Sequence, residues 1–429
     1  MQACRGGHEA CRVRCGLVGP LHSGRMKRCG RYGIAVVLAV AGLFTAPASS
    51  ADPGRPPVPA QDPFYAQPES FEGLSMGQVV DSRPVSVGVI PTSAQFSSWQ
   101  VKYVSQDTKG KPWTTMATII RPTGGSGPAK LLAFLPWIDV LDTACNPSYQ
   151  LRTDYSYVAS SGMIGEMTNL SAALERGWTV VVPDYLGPEN HFAAGYVEGR
   201  NTLDGIRAAL SFAPAGLAGD TPVGVFGYSG GSRGAEFAAE LAEGYAPELD
   251  IVGTAAGGLP TDMAATSAFI NGGPFAGINY QAAFGLARAY PELNIAAFFA
   301  DPNFERTLAS MCQVQTLASY PFTWMQDRTV DRAWPLGEPK VTAVLETLKA
   351  GRYGTPNAPL YLFMAEQDQI AITANTDALI ADYCARGVPV SYIKYPGTEH
   401  VSAETVGSGA ALDWLADRLD GIPATTTCS

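Results

Sequence analysis

Histidine is almost missing from this chain: there are four in 429 residues. Any mechanism that needs an imidazole base must draw on His8, His22, His191 or His400. Basic residues are also scarce, 29 Lys and Arg against 39 Asp and Glu, for a formal charge of −10. An acidic surface repels phosphate backbones and anionic headgroups, which argues against a nucleic-acid partner and against electrostatic docking on anionic lipid, and favours solubility outside the cell. No C-x-x-C pair occurs, so metal-type cysteine spacing is lacking and neither a metal nor a cofactor is expected. The apolar run Ile34 to Phe44 falls well short of the ~20 residues that cross a bilayer.

That run has basic Met26-Lys-Arg-Cys-Gly-Arg31 ahead of it and small Ala46-Pro-Ala-Ser-Ser-Ala51 behind, the tripartite order of a secretory signal peptide. Residues 1–51 are therefore expected to be a leader, with Met26 an alternative start to Met1. Cleavage would remove seven basic side chains and Glu9, taking the formal charge to −16. It would leave His191 and His400, and four cysteines: Cys145, Cys312, Cys384 and Cys428. An even number in an exported chain implies two disulfides, with three pairings open.

Asp52 to Tyr65 is proline-rich and reads as an arm wrapped on the surface, pinned by Asp62-Pro-Phe-Tyr65. Trp99–Val104 and Thr114–Arg121, separated by Lys109-Gly-Lys, read as an antiparallel pair. After them come apolar strands Leu131–Leu135 and Trp178–Pro183, with helical spacing over Thr168–Arg176 and Asn201–Phe212. Strand–helix alternation of this kind is the grammar of a mostly parallel sheet flanked by helices. Ile251–Ala256, Pro359–Met364 and Val390–Tyr395 continue it. The intervening stretch 259–357 is too long for a loop in a compact domain. It is expected to be a helical cap, inserted between 52–258 and 358–429 and placed over the carboxyl ends of the strands, where ligands bind in such sheets.

Pro222-Val-Gly-Val-Phe-Gly-Tyr-Ser-Gly-Gly231 organises the rest: a buried strand, a sharp Gly-x-Ser-x-Gly turn, then an Ala-rich helix. This is a nucleophile elbow, which presents Ser229 at the top of a sheet. A serine hydroxyl needs a base within hydrogen-bond reach. In elbow folds the chain order is Ser, then Asp or Glu, then His. His400 follows strand Val390–Tyr395 and fits as a loop residue ahead of a helix from Glu404 to Arg418; His191 precedes the elbow and reads as a surface or pocket-rim residue. The orienting acid should follow Pro359–Met364, where Asp368 is preferred and Glu366 competes; Asp377 and Asp382 read as surface groups. The oxyanion needs two donors: Gly230 N–H, at a helix N-terminus, and a second from somewhere in Trp137–Asp142.

Gly195-Tyr-Val-Glu-Gly199, Leu203-Asp-Gly-Ile-Arg207, Gly227-Tyr-Ser-Gly-Gly231, Tyr245-Ala-Pro-Glu-Leu249, Asn271-Gly-Gly-Pro-Phe-Ala-Gly277 and Glu399-His400 together resemble the secretory lipase family typified by Candida antarctica lipase A. The resemblance spans most of the chain after the leader. It implies an α/β-hydrolase fold with an inserted cap that encloses the acyl chain, Ser229, Asp368 and His400 as the triad, Asp139 beside Gly230 in the oxyanion hole, and disulfides Cys145–Cys312 and Cys384–Cys428. Two departures are visible. The typical member continues into a C-terminal flap beyond the position of Ser429, and the loop around Trp137 and Asp139 differs from the family type, so a different acyl preference is expected. The expectation is a secreted, monomeric serine ester hydrolase acting on acylglycerol-type esters. The alternatives are an acyltransferase using the same triad and an exported binding protein that has lost turnover.

Overall fold

A computed structural model describes residues 55–428 apart from 125–126, 155–157 and 160–161. The expected leader, and Asp52 to Gly54 of the arm, lie outside the described residues. The strands are β1 Val79–Pro84, β2 Phe96–Gln106, β3 Pro112–Pro122, β4 Leu131–Leu135, β5 Thr179–Pro183, β6 Val223–Tyr228, β7 Ile251–Gly257, β8 Leu360–Ala365 and β9 Val390–Tyr395. They form one sheet in the order β1-β2-β3-β5-β4-β6-β7-β8-β9. β1, β2, β3 and β5 pair antiparallel, and every pair from β5 through β4 to β9 is parallel.

The parallel strands are apolar without alternation because both faces are covered. In β4, Leu131, Ala133 and Leu135 join the core on one face, while Leu132 and Phe134 join that on the other. Helices α1 Met167–Glu175, α2 Gly195–Ser211 and α3 Gly230–Tyr245 precede β7. Between β7 and β8 lie α4 Met263–Ile270, α5 Gly277–Ala289, α6 Phe304–Leu308, α7 Gln313–Ser319 and α8 Pro339–Thr347, joined by short 3-10 turns; α9 Thr373–Ala385 and α10 His400–Leu419 complete the order. Side chains of α2 and α3 fill one side of the sheet together with residues from the β7–β8 stretch, and those of α1 and α10 fill the other.

Three differences from the sequence expectations have physical causes. β1 is an edge strand, half-exposed, with a register shift between Val79 and Asp81, so it carries no apolar signal. α2 begins at Gly195 rather than Asn201, because its glycines serve close packing instead of breaking the helix. A Cβ on Gly199 would stand 2.7 Å from the Phe237 carbonyl carbon, and one on Gly195 would strike the Phe237 ring. The third is the start of α10. Glu399 caps this helix, its Oε1 accepting from Ser402 N at 2.7 Å and its Oε2 from Val401 N at 3.0 Å, while Ser402 Oγ accepts from Glu399 N at 3.0 Å. That reciprocal cap starts the helix four residues before Glu404, so His400 is its first residue and not a loop residue.

The proline-rich arm makes two 3-10 turns, Pro59–Gln61 and Pro63–Tyr65. Asp62 anchors them, accepting from Arg83 Nη2 at 2.6 Å and Nη1 at 3.2 Å, and the Arg83 guanidinium lies 4.1 Å over the Phe64 ring.

Candidate active site

Ser229 sits between β6 and α3 at φ 50° and ψ −119°. The left-handed backbone of a non-glycine residue is strained and persists only where its surroundings over-determine it. Here the flanking glycines do so. A Cβ on Gly227 would lie 2.3 Å from Gly231 O, and one on Gly231 would lie 1.9 Å from Leu135 O. Ser229 N donates to Gly257 O at 2.8 Å, tying the turn to β7.

His400 reaches this serine from α10, with Nε2 2.8 Å from Ser229 Oγ. Its Nδ1 lies 2.7 Å and 2.9 Å from the two Asp368 oxygens, which makes it the protonated nitrogen. Asp368 follows β8, and its Oδ1 also accepts from Ile370 N at 2.8 Å and Ala371 N at 2.7 Å. The competitor Glu366 is exposed and accepts from Gly397 N. Asp377 pairs with Lys394, and Asp382 with Arg386. Burial works against an imidazolium at His400, but the charge and hydrogen bond of Asp368 outweigh it and raise the imidazole above its usual value. Tyr228 anchors the backbone of this residue, donating its hydroxyl to the His400 carbonyl oxygen.

His191 is buried rather than at the surface: its ring packs edge-on to Trp113, and its Nε2 lies 3.3 Å from Glu189 Oε2. It lines a cleft of about 940 Å³ whose walls include none of Ser229, Asp368 and His400.

Asp139 comes from the loop after β4 and is buried against Gly230, where an added Cβ would meet Asp139 Oδ1 at 1.9 Å. Gln313 Nε2 donates to Asp139 Oδ2 at 2.6 Å, while Oδ1 is enclosed without a hydrogen-bond partner. Burial first, and then the negative charge of Glu198, push this carboxyl up to about 7. Glu198 is itself buried against Arg233, with Nε and Oε2 3.3 Å apart. Gln313 opens α7, directly after Cys312, which is disulfide-bonded to Cys145. The β7–β8 stretch is thus joined to the Asp139 loop covalently and by a hydrogen bond; Arg288 adds a third tie, from Nη1 to Leu141 O at 2.8 Å. The second disulfide, Cys384–Cys428, links α9 to the C-terminal tail.

Nothing in the sequence points to Gln313, Tyr228, Glu166 or Glu404, and the last two bond Trp137 at the head of the same loop. Among the described residues no group of His, Cys, Asp and Glu could hold a metal ion, and no helix is long and apolar enough to cross a membrane.

Comparison with known proteins bears on the family and the fold. Residues 154–427 match the model of the Secretory lipase family. Lipase A of Arthroderma benhamiae is 34% identical over 387 residues, covering 86% of this chain and 81% of that protein. A probable inactive lipase of Mycobacterium tuberculosis is 33% identical, with 86% and 84% covered. The crystal structure of Candida antarctica lipase A in its closed state superposes with a TM-score of 0.80 at 30% identity, covering 87% of this chain and 89% of that one. With family, fold and coverage in agreement, the chain belongs to the secretory lipase family, serine hydrolases of α/β-hydrolase fold that cleave carboxylic esters.

Proposed function

We propose that this exported lipase works through an acyl-enzyme, with Ser229 as nucleophile, His400 as base and Asp368 as the acid that orients it. The observation that carries the reading is the unbroken hydrogen-bonded line from Ser229 Oγ through the His400 ring to Asp368. Ser229 Oγ attacks the acyl carbon as its proton passes to His400 Nε2, and Asp368 stabilises the imidazolium that forms. Gly230 N–H, at the positive end of α3, and the Asp139 corner receive the oxyanion. Collapse expels the alcohol, which takes the proton from His400. Water then repeats the sequence on the acyl-serine and frees the acid.

The reading extends to 259–357 as a cap. Ser229 is only 6% exposed and His400 3%, and this stretch contacts the Asp139 loop, so an ester must enter beneath or through it.

Partitioning tests the covalent intermediate. Esters of one acid with different leaving alcohols, hydrolysed with a fixed amount of an added alcohol, should all give one ratio of transfer to hydrolysis, because each passes through the same acyl-Ser229. A ratio that changes with the leaving group would remove the acyl-enzyme. A ratio strongly favouring transfer in dilute alcohol would make the protein an acyltransferase by use.

Asp139 gives a pH signature. Protonated, its free Oδ1 can donate to the oxyanion; ionised, it opposes it. With this carboxyl at about 7, kcat should fall as pH rises through neutrality. Asp139→Asn supplies an amide donor at every pH and should abolish that fall, as read from kcat on a soluble ester. A persistent fall would assign the limb to another group.

A further inference from the structure

Trp137 opens the loop that delivers Asp139, and both of its N–H groups end on carboxyls. Its backbone N–H donates to Glu166 Oε1 at 3.2 Å and its indole Nε1–H to Glu404 Oε2 at 3.3 Å. Glu166 closes the turn before α1, and Glu404 lies one helical turn beyond His400 on α10. Asn169 Nδ2 gives Glu166 Oε2 a further bond at 3.4 Å. Both glutamates are buried against the same tryptophan, the charge of Glu404 acts on Glu166, and Glu404 Oε1 is enclosed without a hydrogen-bond partner. No Lys or Arg pairs with either among the described residues. Two buried anions on one tryptophan, out of water and without a Lys or Arg partner, repel each other; one retained proton turns that repulsion into a charge-assisted hydrogen bond.

We propose that Glu166 and Glu404 share one proton and that this carboxyl–carboxylate pair is a positioning device, which fixes the loop bearing Asp139 against the helix bearing His400. Neither carboxyl touches the reacting atoms. The inference rests on the assignment of Ser229, His400 and Asp139 made above. Burial, with the neighbouring Glu404 adding to it, pushes Glu166 well above the usual carboxyl range; burial also raises Glu404. The titratable groups that face the pair are few. His400 shares the helix of Glu404, which raises its proton affinity. Tyr228 at the end of β6 and Tyr185 after β5 are held neutral by burial. Asp139, on the clamped loop, acts on His400 and Tyr185. When alkali removes the shared proton, the like charges part and Trp137 is released, so the oxyanion contact loosens while the pocket that binds ester is left in place.

The test measures kcat and KM on a soluble ester from mildly acidic to alkaline pH, in the Asp139→Asn background, where Asp139 no longer titrates. Glu166→Ala and Glu404→Ala should each lower kcat by about 10- to 100-fold with KM changed less than ~3-fold, the signature of a displaced reacting group. Glu166→Gln keeps an acceptor for Trp137 and offers Glu404 a donor at every pH. It should restore most of the kcat lost in Glu166→Ala and move the alkaline limb upward. Should the alanine variants not fold, the pH profile of Glu166→Gln decides alone. An alkaline limb that stays in place, a glutamine variant as slow as the alanine one, or an alanine variant at full kcat would each overturn the proposal. Ser229→Ala, run alongside, separates the two levels: activity surviving it removes the assignment underneath, whereas an inactive Ser229→Ala with an unmoved Glu166→Gln profile sinks the positioning role alone.

Discussion

His400→Ala is expected to lower kcat for ester hydrolysis by about 10⁶-fold, and Ser229→Ala by about the same factor, with the double variant hardly worse than either. The equivalence follows from geometry. Among the described residues Ser229 Oγ has one base within reach, at 2.8 Å, and without it the hydroxyl keeps its proton at neutral pH. Either change removes the same event, so the losses do not add. What survives would come from binding and from the oxyanion contacts of Gly230 and Asp139. Asp368→Asn should cost about 10⁴-fold, because an amide in that place can donate to His400 Nδ1 and favour the wrong tautomer. Glu366→Gln should leave the rate near that of the parent, since the Glu366 carboxyl is exposed and meets a glycine N–H rather than the imidazole. Steady-state rates on one soluble ester check all five variants, and a shared loss in Glu366→Gln and Asp368→Asn would reopen the choice of acid.

Stability should decline as pH rises. Burial, reinforced by the neighbouring Glu240, lifts the carboxyl of Glu236 to about 8; burial lifts those of Glu240, Asp139 and Asp184 to about 7, and that of Glu198 upward as well. In the unfolded chain these groups ionise near pH 4. From there up to about pH 8 the folded protein binds more protons than the unfolded one, so stability is full below the unfolded values and is lost as pH climbs through the folded ones. Each tenfold gain in proton affinity on folding is worth ~1.4 kcal/mol. Even discounted heavily for shared protons, the combined gain of Glu236, Glu240, Asp139 and Asp184 amounts to several kcal/mol, a large part of the stability of an ordinary domain. Asp62, held below its usual value by Arg83 against the effect of burial, works in the opposite direction, but only under more acidic conditions. The expected melting temperature is therefore highest on the mildly acidic side and lower by on the order of 10 °C in weak alkali. Glu236→Gln, whose amide accepts the Tyr383 hydroxyl without a charge to bury, should flatten the curve. A melting temperature that rises across the same range would contradict the assignment of these carboxyls as buried and protonated.

The parts of the molecule that are legible in the sequence are those in which one local property decides the outcome. β4 and β9 have the bounds expected from Leu131–Leu135 and Val390–Tyr395, because apolar runs that short, closed by turn residues, have few alternatives as strands. The elbow is legible because the backbone of Ser229 forces glycine at 227 and 231, and chain order together with the scarcity of histidine points to Asp368 and His400. Residues whose role depends on a distant partner leave no trace. Gln313 meets Asp139 across 174 residues and Glu404 meets Trp137 across 267, and neither glutamine nor glutamate on a helix signals burial. The start of α2 is hidden because glycine reads as a breaker until Phe237 is seen against Gly195 and Gly199.

The central claim is that Ser229 is the hydroxyl which becomes acylated, and covalent trapping tests it directly. The intact protein, treated with a fluorophosphonate ester, should lose its activity as it gains one adduct, and mass spectrometry of the peptides should place that adduct on Ser229. Labelling should vanish in Ser229→Ala and slow greatly in His400→Ala. An adduct on another residue that tracks the loss of activity, or full inactivation with Ser229 unmodified, would contradict the account.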